Sequence, residues 1–476
     1  MDYSDRKAMG IKIAYIGGGS RAWAWKLMSD LALEPVLSGD VWLYDIDRAA
    51  AEKNEVIGNS LVERDTPGKW RYHTADSLKE ALTGANFTVI SILPGTLDEM
   101  ETDVHLPEKY GIYQSVGDTV GPGGIVRALR TVPMYRDIAR AIRRWAKDTW
   151  VISYTNPMSV CVKTLYHVFP EIKALGCCHE VFGTQNLLLE IYKKYGGSQD
   201  AVRRDININV MGINHFTWLD RAQCLGTDLF PLYERFIREY YDTGRVKEEG
   251  FWQKEHIKGG QCVKMDLFRR FGIIAAAGDR HLAEFMPGTE YLNDPKTVKD
   301  WQFGLTTVAS RKQVQKERIE KGEKLAAGEE QVELAPSKEE GVGIIKALCG
   351  LGRFISNVNI PNESLVIPNL PKEAVVEVNA VLDRDRIYPV MAGRLPESVR
   401  ELILPHAKNH SLIVRAALET DFEAALEALM RDPNTGSKLT VEQGREMLKE
   451  MIRDTKAYLP AGWQQAGIER ETVYDC

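Results

Sequence analysis

A glycine-rich stretch at residues 17–22 constrains the fold of this chain more than any other feature of its sequence. A β-branched run at residues 11–16 precedes it, and a helix-like segment follows. Gly17, Gly19 and Ala22 occupy the three small-residue positions of the strand–loop–helix fingerprint for dinucleotides. Glycines there let the backbone approach a pyrophosphate, whose charge is stabilised at the helix N-terminus. The residues expected to form this cofactor loop are Gly17, Gly18, Gly19 and Ser20.

A second strand at residues 41–45 ends in an acid, Asp45, about 20 residues beyond the loop. An acid at this place binds the ribose diol and repels a 2′-phosphate, so the sequence predicts NAD rather than NADP. The glycine pattern alone also fits a tight turn in another doubly wound fold, and that alternative stays open here.

Two near-continuous apolar runs, residues 88–93 and 150–154, predict further strands. Helical segments such as residues 130–145 separate them, which is typical of a parallel sheet covered on both faces. Ligands bind at the carboxyl ends of such strands, where Gly95 and Asn156 lie. We therefore expect both residues near the cofactor.

The length of 476 residues exceeds what one core usually supports, which predicts two domains. Residues 1–205 are expected to form the NAD-binding domain, and residues 206–476 the substrate, metal and oligomerisation domain. The predicted fold class is α/β: a Rossmann-like doubly wound parallel sheet interlocked with a C-terminal α+β domain, as in lactate and malate dehydrogenases.

The loop at residues 115–124 combines several glycines with a proline, which predicts a shaped loop rather than a helix. Asp118 lies within it. Turn chemistry fits equally well a residue that caps the following helix and one that contacts a ligand.

Residues 176–183 place a thiol, an imidazole and a carboxylate in consecutive positions, and an alternating strand at residues 205–212 leads to a second histidine. Cys178 as thiolate and His215 as neutral imidazole suit a divalent transition ion. Two ligands are too few for a closed structural zinc site, so such an ion would be completed by substrate. The adjacent Cys177 leaves a second interpretation open, namely two buried apolar thiols in a strand.

Composition limits the partners and the location of the chain. The net charge is −6 and no basic cluster interleaved with aromatic residues is found, so nucleic acid is not expected as a partner. No apolar run reaches about 18 residues, which predicts no membrane span. Seven scattered cysteines do not form a disulfide framework and favour a reducing, cytoplasmic location. The charged run at residues 315–340 predicts a solvated helix and linker without chemistry.

Six motifs together resemble the NAD- and metal-dependent glycoside hydrolases of family 4 over nearly the whole chain. The motifs lie at residues 17–20, 154–157, 178–181, 212–215, 278–281 and 369–371. Within that family, the Cys-His-Glu-Val sequence at residues 178–181 is similar to the bacterial α-galacturonase branch. Cys-His-Ser there would instead suggest an α-glucosidase or α-galactosidase.

The resemblance implies hydrolysis of α-linked galacturonic acid from short oligogalacturonides, with NAD⁺ and Mn²⁺ or another divalent transition ion as cofactors. The expected route is oxidation of the sugar at C3 by NAD⁺, deprotonation at C2, elimination, water addition and re-reduction. The ion would act as a Lewis acid. A homodimer or homotetramer is also implied.

The resemblance further implies roles for individual residues. Cys178 and His215 match the metal ligands, and Asn156 matches the side chain that holds the sugar oxygens. Asp118 falls where the family has an acid near the metal and the nicotinamide. Asp279 aligns with the C2 base, a role that the metal must support by acidifying the proton.

His179 occupies the position of the leaving-group acid, although a capping or orienting role is equally open. Glu180 would repel a uronate unless it is paired or directed at a hydroxyl. Arg280 and His281 are the candidates for neutralising the substrate carboxylate, with Arg280 able to bind it through two hydrogen bonds. The alternative for Arg280 is a structural ion pair with Asp279 or Glu284.

Three other functions compete with this prediction. An α-glucuronidase or α-glucosidase of the same family is one. A lactate/malate-type NAD dehydrogenase is another, but it needs no metal, so Cys178 with His215 counts against it. A non-catalytic dinucleotide sensor would lack proton-transfer groups such as Asp118, His179 and Asp279.

Overall fold

The computed structural model of the chain describes residues 1–4, 6–244, 260–337 and 339–463. The strands of that part are β1 Asp2–Ser4, β2 Lys7–Ile16, β3 Leu37–Tyr44, β4 Lys69–Thr74, β5 Phe87–Ile90, β6 Trp150–Ser153, β7 Lys173–Gly176, β8 Ile206–Ile213, β9 Phe216–Cys224, β10 Thr227–Asp228, β11 Ile274–Ala275, β12 Phe354–Pro361, β13 Val375–Asp383 and β14 Arg386–Pro389.

The α-helices of the same residues are α1 Trp23–Leu33, α2 Arg48–Ser60, α3 Leu78–Leu82, α4 Leu97–His105, α5 Gly121–Trp145, α6 Met158–Val168, α7 Glu180–Lys194, α8 Phe230–Tyr240, α9 Cys262–Phe271, α10 Asp279–Phe285, α11 Pro295–Asp300, α12 Val308–Ala326, α13 Gly341–Leu348, α14 Glu397–Glu419, α15 Phe422–Arg431, α16 Pro433–Gly436 and α17 Val441–Asp454. Short 3₁₀ helices lie at Leu106–Tyr110, Arg203–Asp205 and Lys456–Tyr458.

A ten-stranded sheet forms the centre of the molecule. Its parallel part has the order β4-β3-β2-β5-β6-β7. Strands β3 and β4 are added on one side of β2 and strands β5 to β7 on the other, so the order of addition reverses between β2 and β5. This is the order of a Rossmann sheet, whose ligands bind in the crevice at that reversal. The predicted fold class is therefore confirmed.

Strand β2 shows why the sequence folds into a sheet covered on both faces. Ile13 and Tyr15 pack into the same cluster as residues of α1, whereas Ala14 and Ile16 pack into the cluster that contains residues of α5 and α6. Successive side chains of a strand point to opposite faces, so a strand that is buried on both must be apolar throughout.

The two halves of the chain interlock through the sheet. Strands β12, β13 and β14 come from the second half and extend the parallel sheet antiparallel beyond β7. A second, four-stranded antiparallel sheet contains β8 to β11, with β8 and β9 joined as a tight hairpin. The domain boundary between residues 205 and 206 stays a prediction.

The start of α5 differs from the sequence prediction. The helix begins at Gly121, so the expectation that residues 121–124 belong to a loop was wrong. Pro122 is tolerated because the first turn of a helix lacks intrahelical N–H partners anyway. Gly124 is pressed against the backbone of Thr119, where a Cβ would lie 2.4 Å from its carbonyl carbon. Close packing therefore outweighs the low helix propensity of glycine.

Two further predictions concern the surface of the molecule. Helix α12 is exposed along most of its length, as expected for the charged run, although it begins earlier at Val308. Within the described ranges no helix is long and apolar enough to cross a bilayer.

Candidate active site

The glycine loop closes tightly over the carboxyl ends of β2 and β3. Gly17 has φ +94°, and a Cβ there would lie 2.0 Å from the carbonyl oxygen of Ser91, so only glycine fits. Asp45 accepts hydrogen bonds from the backbone amides of Gly19, at 2.8 Å, and Asp47, at 2.9 Å. The predicted ribose acid is thus held beside the loop by the backbone.

Asn54 on α2 holds the loop in place, and sequence reasoning missed it. Its Nδ2 donates to the carbonyl oxygens of Gly18, at 2.7 Å, and Ser20, at 3.0 Å, while its Oδ1 accepts from the indole of Trp25 at 2.8 Å. These bonds fix the loop to α2 and to the side chain of Trp25 on α1.

Gly95 and Asn156 lie just beyond the carboxyl ends of β5 and β6, as predicted. Gly95 has φ +104°, a conformation that favours glycine. The backbone oxygen of Asn156 accepts from Arg127 Nε at 3.0 Å, whereas its side-chain Oδ1 is buried without a partner in the described residues. This amide is therefore free to bind a polar ligand.

Cys178 and His215 meet although 37 positions separate them in the sequence. Cys178 Sγ lies 3.3 Å from His215 Nε2, and both residues are buried, with 7% and 3% of their surface exposed. Cys178 follows β7, and His215 lies in the turn between β8 and β9.

The hairpin turn presents His215 in a conformation that histidine rarely adopts. Asn214 and His215 form the two-residue connection, because Ile213 pairs directly with Phe216. His215 has φ +63°, in the left-handed region where glycine or asparagine is more usual. A strained residue in a buried pair of potential ligands indicates a functional constraint.

A relay of hydrogen bonds selects the tautomer of His215. The Thr119 hydroxyl donates to Asp118 Oδ1 at 2.8 Å and therefore accepts from His215 Nδ1 at 3.0 Å. Nε2 then carries the free lone pair and faces Cys178. Burial lowers the pKa of His215 to about 3, which keeps the ring neutral at pH 7.

Asp118 is the charged end of this relay and does not cap α5, whose N-cap is Val120. Burial alone would raise the pKa of Asp118, but Arg127 and His281 outweigh burial and hold it well below its usual range. The carboxylate therefore remains ionised and fixes the Thr119 hydroxyl.

The donor atoms of Cys178 and His215 fit a divalent ion. Zinc bond lengths of about 2.3 Å to sulfur and about 2.0 Å to nitrogen, with bond angles between 90° and tetrahedral, put two such donors about 3.1 to 3.5 Å apart. The observed 3.3 Å falls in this range. Burial raises the pKa of the Cys178 thiol, so an ion must displace its proton. No group of three or more His, Cys, Asp or Glu that could hold a metal occurs in the described chain, so two protein ligands remain.

Glu180 and His281 line the other side of His215. The His281 ring lies 3.9 Å from the His215 ring, centroid to centroid, and its Nε2 is 3.7 Å from Glu180 Oε1. Glu180 Oε2 accepts from the amide of Gly278 at 3.2 Å. Burial opposes ionisation, but the neighbouring histidines and this amide lower the pKa of Glu180 to about 2. Glu180 is thus a paired carboxylate.

Asp279 faces the N-terminus of α9. Its two oxygens accept from the amides of Val263, at 2.8 Å, and Lys264, at 3.1 Å. Burial raises the pKa of Asp279 to about 6 and lowers that of the nearby Lys264 to about 8. Lys264, which sequence reasoning missed, donates to the Thr184 hydroxyl. The expected role of Asp279 as base stays a prediction.

Arg280 is anchored by Ser115 rather than by a carboxylate. Its guanidinium donates to the Ser115 carbonyl, and no ion pair joins it to Asp279 or Glu284 in the described chain. Burial raises the pKa of Glu284 to about 8, although the carboxyl accepts from the amides of Val116 and Gly117. Arg280 therefore has no ion-pair partner at contact distance in the described chain, although the Asp118 and Glu180 carboxylates act on it from farther away.

His179 lies between α1 and Glu339. Its Nδ1 lies 3.5 Å from Glu339 Oε1, and its ring lies 6.0 Å from that of Trp23. The Glu339 hydrogen bond raises the pKa of His179 against the effect of burial. His179 is the residue before α7 and forms no side-chain cap.

Several of the predicted site residues and their neighbours have buried polar atoms without hydrogen-bond partners. In the part of the chain that the structure describes, they include Asn156 Oδ1, Asn214 Oδ1, Arg280 Nε, His281 Nδ1 and Glu284 Oε2. Buried polar groups are normally satisfied, so such a collection indicates a site for a polar ligand.

Comparison with known proteins agrees with this geometry. The model for the family 4 glycosyl hydrolases matches residues 12–194, and the model for the C-terminal domain of the same family matches residues 210–435. The chain belongs to glycosyl hydrolase family 4. It is thus a glycosidase, and the family resemblance of its motifs is confirmed.

Individual members of family 4 are similar over nearly the whole chain. The α-galacturonidase of Lachnoclostridium phytofermentans is 55% identical over 464 residues, covering 97% of this chain and 100% of that protein. The crystal structure of lplD from Bacillus subtilis has a TM-score of 0.88 at 48% identity, covering 93% and 100%. The 6-phospho-β-glucosidase from Thermotoga maritima, solved with manganese, NAD⁺ and glucose-6-phosphate, shares the fold, with a TM-score of 0.73 at 20% identity, covering 94% and 99%.

Proposed function

We propose that this family 4 enzyme hydrolyses α-linked galacturonides with NAD⁺ and a divalent transition ion such as Mn²⁺. The observation that carries the proposal is the Cys178–His215 pair, whose donor atoms converge at 3.3 Å beside a dinucleotide-binding sheet. The α-galacturonidase name of the 55% identical relative supports the choice of sugar.

The residues for both cofactors follow from the site. Residues 17–20, Asp45 and Gly95 would hold the dinucleotide, and Cys178 with His215 would hold the ion. When bound, NAD⁺ supplies a reversible hydride acceptor and the ion supplies Lewis-acid polarisation of the sugar oxygens.

The protein itself positions the sugar and moves its protons. The unpartnered amide oxygen of Asn156 is available to a sugar hydroxyl. Asp118 and Thr119 keep His215 in the ligating tautomer. Asp279, with its pKa raised to about 6, is half-ionised near that pH and suits a base for the C2 proton. His179, whose pKa is raised by Glu339, suits an acid for the leaving group.

The charges around the site favour an acidic sugar. Among the residues that the structure describes, Arg280 forms no ion pair with a carboxylate and its Nε has no hydrogen-bond partner. Glu180 lies 3.7 Å from His281 Nε2 and accepts from the Gly278 amide, so it is engaged by the protein, which reduces its repulsion of a uronate. We therefore assign the substrate carboxylate to Arg280, with His281 as its neighbour.

The decisive experiment measures cleavage of digalacturonate and of a neutral α-galactoside by the chelated enzyme, with Mn²⁺ and NAD⁺ added separately and together. We expect cleavage of digalacturonate only when both are present, and no net NADH. Preference for the neutral galactoside, or for a glucuronide or glucoside, would overturn the choice of sugar. Accumulation of NADH with a hydroxy acid would point to a dehydrogenase instead.

The proposal also covers the location and the oligomeric state of the enzyme. The six cysteines within the described ranges are buried and form no disulfide with one another, which suits a reducing cytoplasm. A homodimer or homotetramer is expected, and sedimentation of the purified chain tests it.

A further inference from the structure

A buried glutamate lies behind the metal pair and has no role in the chemistry described so far. Glu377 interrupts the apolar sequence Val375-Val376-Glu377-Val378 of β13 and exposes 1% of its surface. In the sheet it stands opposite Asn359 of β12, the residue that pairs with Gly176 at the end of β7. It therefore lies next to the strand that leads to Cys178.

Amide groups alone bind this carboxylate. Asn357 Nδ2 donates to Glu377 Oε1 at 2.5 Å, and Asn214 Nδ2 donates to Glu377 Oε2 at 3.0 Å. Glu377 forms no ion pair with any Lys, Arg or His that the structure describes. A buried carboxylate without a cation is costly, so its retention calls for a function.

The two asparagines connect Glu377 to both potential ligands. Asn357 Nδ2 also donates to the backbone oxygen of Cys178 at 3.3 Å. Asn214 is the residue immediately before His215 in the hairpin turn. One carboxylate thus joins the segment that carries the sulfur donor to the segment that carries the nitrogen donor.

We propose that Glu377 is a positioning residue that sets the distance between Cys178 and His215 for binding a divalent ion. This inference rests on the proposed function, because it assumes that the pair binds an ion. Glu377 acts through its hydrogen bonds and does not touch the ion.

A carboxylate suits position 377 better than an amide because it has two acceptor oxygens instead of one. Asn214 and Asn357 each present an N–H group, and a carboxylate offers one oxygen to each of them. In E377Q an NH₂ group replaces one of the two oxygens. This NH₂ group is itself a donor, so it cannot accept a hydrogen bond from the asparagine that faces it. One of the two segments then loses its attachment. Changes in residues that orient metal ligands typically cost about 10- to 100-fold in metal affinity.

The test titrates Mn²⁺ into the full-length protein without sugar or NAD⁺ and follows the free ion by electron paramagnetic resonance. We expect E377Q to bind Mn²⁺ about 10- to 100-fold more weakly than wild type, with unchanged NAD⁺ affinity. The matched control is E340Q. Glu340 is also a buried carboxylate and bonds to Ser356 of β12 and to Arg203, but not to the segments of the metal pair. Its Mn²⁺ affinity should equal that of wild type.

The outcomes separate this inference from the proposed function. Equal Mn²⁺ binding by folded E377Q and wild type would overturn the inference alone. A wild-type protein that binds no Mn²⁺ would overturn the proposed function and the inference with it. A parallel loss of NAD⁺ affinity would show a general structural role and also overturn the inference. Should E377Q fail to fold, Asn357→Ala removes the same link, and the same two affinities decide.

Discussion

The glycine loop and the metal pair lie at the carboxyl ends of the same sheet but are built in different ways. The loop is made of backbone within consecutive residues 17–20, supported by Asn54 and Asp45. The pair is made of two side chains from distant segments, and its geometry depends on Thr119. A site made of backbone tolerates changes in the side chains around it. The metal pair would instead lose its ion if either donor atom were removed. Substitutions at the two places should therefore affect different ligands by different amounts.

The largest effect is expected at the metal pair. Cys178→Ala removes one of two protein ligands, and because Lewis-acid stabilisation is worth several kcal/mol, kcat/KM should fall by at least about 10³-fold. Mn²⁺ binding should be lost while NAD⁺ binding is kept, as measured by calorimetry. Cys177→Ala is the matched control, since it removes a neighbouring buried thiol that packs in a different hydrophobic cluster from Cys178 and interacts with Tyr154. Equal losses in the two variants would contradict the assignment of the ligand.

Asp279 should show the next largest effect. Asp279→Asn removes the proposed base, and kcat/KM should fall about 10²- to 10⁴-fold. In the wild type, activity should rise with pH through about 6, because burial raises the pKa of Asp279 to about 6 and only the ionised form accepts a proton. The pH profile of kcat/KM measures this rise of activity on the acid side. If the same rise of activity with pH persists in the variant, Asp279 is not the base and serves only as a hydrogen-bond acceptor for the amides of α9.

A smaller and more selective effect is expected at Arg280. Arg280→Gln removes charge-assisted hydrogen bonds to the uronate, worth about 1.5–3 kcal/mol, or about 10- to 100-fold in kcat/KM on a galacturonide. A neutral α-galactoside should be cleaved about as well as before. Equal losses on both substrates, measured side by side, would rule out the assigned contact with the carboxylate.

The smallest effect is expected at the loop. Asn54→Ala removes two side-chain bonds to loop carbonyls, which water can partly replace; a net loss equal to about one bond, or about 0.5–1.5 kcal/mol, should weaken the NAD⁺ affinity about twofold to tenfold. Mn²⁺ affinity should not change. Asn59→Ala on the same helix is the control, because Asn59 bonds to the backbone of Tyr72 outside the loop. A change in Mn²⁺ affinity with Asn54→Ala would show that the two sites are not independent.

The sequence predicted what depends on neighbouring residues. The glycine loop and the strands of the parallel sheet each had a local signal, whereas the pairing of Cys178 with His215 was implied only by the family resemblance. Residues 121–124 were predicted as loop because glycine and proline disfavour helices, and packing against Thr119 was not visible.

The missed residues act across long sequence separations. Asn54, Thr119 and Lys264 matter because of partners that only the fold brings near. A signal did exist for two residues: Lys264 and Glu377 are ionisable residues within apolar runs. An ionisable side chain that is buried in the core needs hydrogen bonds or an ion pair to offset its desolvation, so it predicts tertiary contacts at that position.

The antiparallel extension of the sheet has a consequence for biosynthesis. Strand β7 pairs with β12, so on the ribosome its outer edge stays bare until residues 354–361 have been translated. Unpaired strand edges of nascent chains are prone to aggregation. The contact between Asn357 and Cys178 also forms only then, so a truncated N-terminal half would contain the cofactor loop but an unfinished metal pair.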